Sequence, residues 1–250
     1  MSNNEARVAL VTGGTRGIGS SITLVLARAG YKVVAVCNSH RSAADTFAAE
    51  AKSGEGLEID VRQANVANPA DCESIVNSVI RDYGRLDILV NNAGIVRDRS
   101  ALKMQLLDFD QVMKTNLYGP FFMAKAALPK MIEHGFGRII NISSFVGETG
   151  RIGQSNYSAS KAGLFGLTKT LALETAQKGV TVNCVIPGAI ETEMSGSLPA
   201  EILQAVIDMV PMKKMGQGED IAEAVKYLAS DEAGYVTGAL LPVAGGLLMM

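Results

Sequence analysis

Short runs of almost entirely apolar residues alternate with longer amphipathic segments along this chain. Buried parallel strands have this composition because helices cover both faces of their sheet. The predicted strands lie within residues 7–13, 32–37, 57–66, 86–94, 137–144, 180–188 and 238–246. The predicted helices span residues 18–29, 41–52, 69–83, 105–114, 117–133, 156–177 and 219–229. The pattern predicts an α/β fold, a single doubly wound domain over residues 1–250 with a seven-stranded parallel sheet.

A doubly wound sheet binds its ligand at the carboxyl ends of the strands. The chemically unusual residues of this sequence fall at those ends, in Thr12–Gly19, Asn91–Gly94, Ser143–Ser144 and Pro187–Gly188. We therefore expect the functional site to lie at this edge of the sheet.

Composition excludes several classes of protein. The 250 residues are 48% hydrophobic with a net charge of −2, which excludes a disordered chain and indicates neither a nucleic-acid nor a membrane partner. Cys37, Cys72 and Cys184 are far apart and only two histidines accompany them, so we expect free thiols and no metal site. The N-terminus lacks the residue order of a signal peptide, which indicates a cytoplasmic protein.

The segment TGGTRGIG (12–19) lies between the first strand and the first helix. Gly13, Gly17 and Gly19 would let the backbone approach a bulky ligand, and the helix N-terminus would offer N–H groups to a phosphate. A tight structural turn is the alternative, since the spacing G-x-x-x-G-x-G is not that of the commoner dinucleotide fingerprint.

The residues after the second strand indicate which dinucleotide would bind. The sequence VCNSHRS (36–42) has no carboxylate that could bind the ribose 2′-hydroxyl of NAD. Arg16, Asn38, Ser39 and Arg41 are donors that could hold a 2′-phosphate, which favours NADPH. Arg41 could equally be a solvated residue at the start of a helix.

A second motif lies at the start of the sixth predicted helix. Tyr157 and Lys161 are four residues apart and would share a helix face, where an ammonium lowers the pKa of a phenol. Ser144 follows the fifth strand and could reach the same reacting oxygen. A Tyr-x-x-x-Lys spacing also occurs on ordinary helices, so its significance depends on the other motifs.

Together these motifs resemble the short-chain dehydrogenase/reductase family. The resemblance covers essentially the whole chain and rests on TGGTRGIG (12–19), NNAG (91–94), Asn116, Ser144, Tyr157, Lys161 and PGAIET (187–192). It implies a Rossmann-type fold and an oxidoreductase, commonly a homotetramer.

The resemblance also implies a role for each residue. Tyr157 would protonate a carbonyl oxygen as hydride arrives from the nicotinamide, Lys161 would lower the tyrosine pKa and hold the nicotinamide ribose, and Ser144 would polarise the carbonyl. Asn116 would hold a water in the proton relay, or else cap the helix at 117. The remaining implied cofactor contacts are Thr15, Ile18, Asn65, Val66, Asn91, Asn92, Ala93, Gly94, Pro187, Gly188, Ile190 and Thr192, of which Thr192 could instead cap a helix.

Several stretches, among them residues 91–104, are similar to the bacterial 3-oxoacyl-thioester reductases, whose substrate is carried by acyl carrier protein or coenzyme A. This resemblance implies that Gln154 contacts the substrate, and the small Ala189 could admit a long acyl chain. A lid is expected within 189–217, lined by methionines or with those methionines in ordinary core positions; they are Met194, Met209, Met212 and Met215. A reductase of another ketone and a non-catalytic NADPH-binding protein are the alternatives.

Overall fold

One sheet of seven parallel strands runs through the protein, and the structure, a computed structural model, describes residues 6–191 and 200–249. The strands are β1 (Val8–Thr12), β2 (Lys32–Cys37), β3 (Ile59–Gln63), β4 (Ile88–Asn91), β5 (Gly137–Ile142), β6 (Val180–Pro187) and β7 (Leu240–Val243). Their order across the sheet is β3-β2-β1-β4-β5-β6-β7. The strand order reverses between β1 and β4, which confirms the predicted doubly wound α/β fold.

Helices follow most of the strands. They are α1 (Gly17–Arg28), α2 (Arg41–Glu55), α3 (Pro69–Tyr83), α4 (Leu106–Met113), α5 (Gly119–Glu133), α6 (Val146–Thr149), α7 (Ser155–Thr175), α8 (Ala200–Met209) and α9 (Gly218–Ala229). A π-helical segment, Lys114–Tyr118, joins α4 to α5, and a 3₁₀ turn, Ala176–Lys178, follows α7.

Both faces of the sheet are buried, because successive side chains of a strand point to opposite faces. In β1, Val8 and Leu10 pack with α3, α5 and α7 on one face. Ala9 and Val11 pack with α1 and α9 on the other. Each fully buried Leu or Ile contributes roughly 1.5–3 kcal/mol of transfer free energy. This two-sided burial explains why the strands are apolar throughout rather than alternating.

Local signals set the ends of α3. The Asn68 side chain accepts a hydrogen bond from the Ala70 amide, Pro69 occupies the first helical position, and Gly84 ends the helix with a left-handed φ of 75°. The helix spans the predicted residues.

Other elements differ from the prediction. The two helices expected at 105–114 and 117–133 are one continuous helical stretch, because the π-helical segment bridges the predicted break. The predicted helices at 41–52 and 156–177 instead end at Glu55 and Thr175. Helix α8 lies inside the segment expected to form a lid.

Candidate active site

The glycine turn after β1 is held against the loop after β4. Gly13 and Gly17 have left-handed φ values of 63° and 52°, which favour glycine. A Cβ on Gly19 would overlap the Gly13 carbonyl oxygen, so α1 starts in direct contact with the turn. The Asn92 amide donates hydrogen bonds to the carbonyls of Thr12 and Gly13 at 3.0 and 3.1 Å. The turn is therefore fixed by the fold itself.

The residues of this turn fit a dinucleotide phosphate. Helix α1 begins at Gly17 with no side-chain cap, and its first turn contains no acidic residue. Its first backbone N–H groups and its positive dipole end are thus directed at the space beyond the turn. Thr15 and Ile18 are partly buried beside it and Arg16 is exposed.

The loop after β2 carries the residues expected at a 2′-phosphate. Asn38 and Ser39 are exposed, and His40, the residue before α2, has a left-handed φ of 61°. Arg41 forms an ion pair with Asp45 at 2.8 Å, one turn along the same helix. Arg16 forms no salt bridge within the described parts of the chain. Arg16, Asn38 and Ser39 are therefore the better placed donors.

The catalytic candidates meet above the carboxyl end of β5. Tyr157 is the third residue of α7, and the Lys161 ammonium nitrogen lies 5.6 Å from the centre of its ring. Lys161 is 4% exposed and its Nζ donates to the Ile142 carbonyl at 2.8 Å. The Ser144 hydroxyl is hydrogen-bonded to the Tyr157 side chain. Three groups capable of proton transfer or carbonyl polarisation thus share one site.

The ionisation of this pair differs from the expectation that the lysine lowers the tyrosine pKa. Burial raises the pKa of Tyr157, the Ser144 hydrogen bond lowers it, and the Asp98 carboxylate raises it further. Burial also lowers the pKa of Lys161 to about 8. The phenol is therefore held protonated in this structure.

Asn116 lies inside the π-helical segment and is fully buried. Its Oδ1 accepts from the Ile95 amide at 2.8 Å, and its Nδ2 donates to the Ile95 carbonyl and to Ser160 Oγ. A Cβ on Gly94 would lie 3.4 Å from Asn116 Oδ1 and 3.6 Å from Lys161 Nζ. Asn116 is thus no helix cap, and it joins the loop after β4 to the catalytic helix.

Two expected cleft residues have other contacts. Asn91 is buried in β4 and its amide donates to Asn141 in β5 at 2.9 Å, so its side chain does not line the cleft. Asn65 is exposed, and its Oδ1 accepts from the Ala67 amide at 3.0 Å. Its neighbour Val66 is buried.

The residues after β6 lie next to the catalytic candidates, at the same edge of the sheet. Pro187 is buried, and its carbonyl accepts from the Phe145 amide at 3.0 Å. The Ala189 carbonyl accepts a hydrogen bond from the Gly216 amide at 2.9 Å, beside a cavity of about 230 Å³. This cavity is lined by Ala189, Ile190, Val210, Met212, Lys214, Gly216, Asp220, Val243, Ala244 and Gly245. Met212 thus fits the lid expectation, whereas Thr192 and Met194 lie outside the described residues.

Gln154 and Asp98 are hydrogen-bonded to each other just before the start of α7. The Gln154 side chain is buried and its Nε2 donates to Asp98 Oδ2 at 2.9 Å. Asp98 was not expected from the sequence, and neither was the fully buried Asn156 beside Tyr157. No local pattern marks either residue, because each acts across about 60 residues of chain.

The described residues show neither a metal-binding cluster nor a membrane-spanning helix. They contain no group of three or more His, Cys, Asp or Glu side chains that could hold a metal ion. None of the helices they form is long and apolar enough to span a membrane.

The chain is similar to known proteins along nearly its whole length. Residues 13–248 match a family model described as enoyl-(acyl carrier protein) reductase of the short-chain type. An acetoacetyl-CoA reductase from Allochromatium vinosum is 46% identical over 98% of this chain and 99% of its own length. The chain belongs to the short-chain dehydrogenase/reductase family. It is an oxidoreductase of that family, with the Rossmann-type fold that the resemblance implies.

Other members of the short-chain dehydrogenase/reductase family match equally completely. The 3-oxoacyl-[acyl-carrier-protein] reductase of Vibrio cholerae is 43% identical over 99% of this chain and 100% of its own length. Nodulation protein G of Azospirillum brasilense is 45% identical over 96% of this chain and 98% of its own length. The stretches of this chain that align with these relatives include the glycine turn, the Asn116 segment and the tyrosine helix.

Proposed function

We propose that the protein reduces a 3-oxoacyl thioester to the 3-hydroxyacyl thioester with NADPH. The observation that carries this proposal is the meeting of Ser144, Tyr157 and Lys161 at the carboxyl end of β5, beside the glycine turn. Ketone reduction needs a proton donor and a hydrogen-bond donor at one carbonyl oxygen, and this arrangement supplies both.

Each of these residues has its own role in the proposed reaction. When bound, the reduced nicotinamide supplies a hydride, which adds to the carbonyl carbon. Tyr157 donates its phenolic proton to the oxygen, and the Ser144 hydroxyl polarises the same carbonyl beforehand. Lys161 returns a proton to the tyrosinate, with Asn116 orienting a water behind it. The raised pKa of Tyr157 suits a proton donor, because the phenol stays protonated at neutral pH.

The donor set favours NADPH over NADH. Arg16, Asn38 and Ser39 would hold the 2′-phosphate, since the loop after β2 offers no carboxylate to a ribose hydroxyl. Thr15, Ile18, Val66, Ala93 and Gly188 would complete the cofactor cleft. NADPH should therefore bind more tightly than NADH.

The thioester is favoured by the relatives, which are named for acyl-carrier-protein and coenzyme A substrates. Gln154 would contact the substrate, and the cavity beside Ala189 would receive the acyl chain of the substrate. The proposal covers both carriers. We also propose that residues 1–250 form one domain and that the protein is a cytoplasmic homotetramer.

The decisive assay follows NADPH oxidation with four substrates in parallel. These are acetoacetyl-CoA, a 3-oxoacyl carrier protein, crotonyl-CoA and a ketone that is not a thioester. Turnover of either 3-oxoacyl thioester supports the proposal, and the better one identifies the carrier. Turnover of crotonyl-CoA alone would indicate double-bond reduction and contradict the proposal, as would exclusive turnover of the simple ketone.

Replacing the catalytic tyrosine separates chemistry from binding. We expect Tyr157→Phe to lower kcat roughly 100-fold or more, because the proton donor is lost while the ring is kept. NADPH affinity, measured by fluorescence titration, should change little. Wild-type turnover in this variant would rule out Tyr157 as the donor.

A further inference from the structure

Residues 97–104, which we call the strap, lie against the first turn of α7. An isolated parallel β-bridge between Arg99 and Gln154 joins the strap to the rest of the protein, and it includes the hydrogen bond from the Arg99 amide to the Gly153 carbonyl at 2.9 Å. A side-chain bond, from Gln154 Nε2 to Asp98 Oδ2, adds a second tie. Such a segment has few contacts of its own and needs side chains from elsewhere to fix it.

Asn156 supplies those contacts from beneath the strap. The side chain is 0% exposed. Its Nδ2 donates to the Arg97 carbonyl at 2.9 Å and to Met104 Sδ at 3.4 Å. Its Oδ1 accepts from the Tyr157 amide at 2.7 Å. One amide therefore connects both ends of the strap to the backbone of the catalytic tyrosine.

We propose that Asn156 is a positioning residue that holds the strap on α7 and thereby fixes Asp98 beside Gln154 and Tyr157. The proposal rests on the proposed function for the role of Tyr157. An amide suits this position because it accepts at one end and donates twice at the other. A buried group that could not do both would leave a carbonyl or an amide without a partner.

The position of Asp98 matters for the proton donor. Ser144 is hydrogen-bonded to the Tyr157 side chain, and the Lys161 ammonium lies 5.6 Å from its ring centre. Burial is the main cause that raises the pKa of Tyr157; the Ser144 hydrogen bond lowers it, and the Asp98 charge raises it. Cys184, behind Lys161, is held as a thiol by burial, which raises its pKa to about 12. Asp98 is therefore the negative charge that favours the protonated phenol.

The test uses Asn156→Leu in the full-length protein. Leucine has a similar branched shape and no charge, and it cannot donate to Arg97 or Met104. The strap should detach, and trypsin should cleave after Arg97, Arg99 and Lys103 roughly tenfold faster under native conditions. Reduction should lose roughly 10- to 100-fold in kcat/KM, with NADPH affinity unchanged.

The pH profile distinguishes positioning from a general structural role. Reduction requires protonated Tyr157, so its rate falls as pH rises through that pKa. Moving the Asp98 charge away lowers the pKa, and the alkaline limb of kcat should move to lower pH in Asn156→Leu, which adds no charge beside Tyr157. Asp98→Asn keeps an acceptor for Gln154 and should give the same displacement without new trypsin cleavage. The double variant should show no further displacement.

Met104→Leu is a milder change that also loosens the strap, in case Asn156→Leu fails to fold. It removes the sulfur acceptor but keeps the apolar volume, so the same changes should occur to a smaller extent. Trypsin resistance and an alkaline limb equal to wild type in both Asn156→Leu and Met104→Leu would overturn the proposal. Wild-type turnover in Tyr157→Phe would instead overturn the proposed function, and the trypsin result would still decide whether Asn156 holds the strap.

Discussion

Lys161 shows how a single side chain can cost stability where function needs it. Its ammonium is almost fully buried, and the described structure gives it one hydrogen-bond acceptor, the Ile142 carbonyl, at 2.8 Å. Burial lowers its pKa from 10.5 to about 8. At neutral pH the protonated form therefore destabilises the folded protein by about 3 kcal/mol relative to an exposed lysine.

Lys161→Met should separate stability from activity. At pH 7 we expect the variant to be at least as stable as wild type, because the buried charge is gone, while kcat falls roughly 100-fold or more. Between pH 8 and 10.5 the unfolded wild-type lysine binds a proton that the folded one has lost. Wild-type stability then rises relative to the variant. The difference in free energy of unfolding between the variant and wild type should therefore be smaller at pH 9.5 than at pH 7. Urea unfolding at both pH values measures it, and an equal difference at the two would contradict the prediction.

The glycine turn acts as one element with the loop after β4. Gly19 has no room for a Cβ because the Gly13 carbonyl and the Asn92 amide occupy that space. Gly54, near the end of α2, has open space around it and an ordinary helical backbone. Gly54 is therefore a suitable control for Gly19: the backbone packs too closely around Gly19 for a side chain, whereas Gly54 has room for one.

Gly19→Ala should weaken NADPH binding roughly tenfold or more, because the added methyl displaces the turn that faces the phosphates. Gly54→Ala should leave binding unchanged and add about 0.5–1 kcal/mol of stability. Isothermal titration calorimetry and urea unfolding measure the two effects. Equal NADPH affinity in both variants would show that the turn does not hold the dinucleotide.

Elements with local signals were predictable from the sequence, and those set by distant contacts were not. The apolar strands and α3, with Asn68, Pro69 and Gly84 at its ends, follow from residues within each element. Tyr157 and Lys161 share a site because helical spacing brings them together. The strap and the raised pKa of Tyr157 depend on burial and on Asp98, 59 positions earlier in the chain, which no local pattern contains.

At the scale of the whole molecule, α4 and α7 each carry an exposed apolar side chain. Leu106 is 86% exposed and Leu173 is 83% exposed. Gly166, in the middle of α7, is exposed with nothing within 4 Å of a Cβ built on it. A glycine inside a helix weakens it, and no contact within the described chain explains this one. A second copy packed closely against α7 would explain both features.

Gly166→Arg should therefore shift the proposed tetramer to smaller species, because a long charged side chain would enter the contact. Gly54→Arg is the control, since it places the same side chain on an exposed helical glycine of α2. Light scattering coupled to size-exclusion chromatography reports the mass. An unchanged mass in Gly166→Arg would place the subunit contact elsewhere.

The π-helical segment between α4 and α5 has one effect that reaches beyond Asn116. The Gly119 amide donates to the Lys114 carbonyl, five residues back, so the helix holds one residue more than an α-helical turn would. Each residue turns an α-helix by about 100°, and this extra residue sets the rotation of everything that follows. Met123, Ala127 and Met131 consequently face inward, and Phe121 faces outward. A one-residue deletion here would turn the sulfur-rich side of α5 towards water and disturb the interior and the outer surface together.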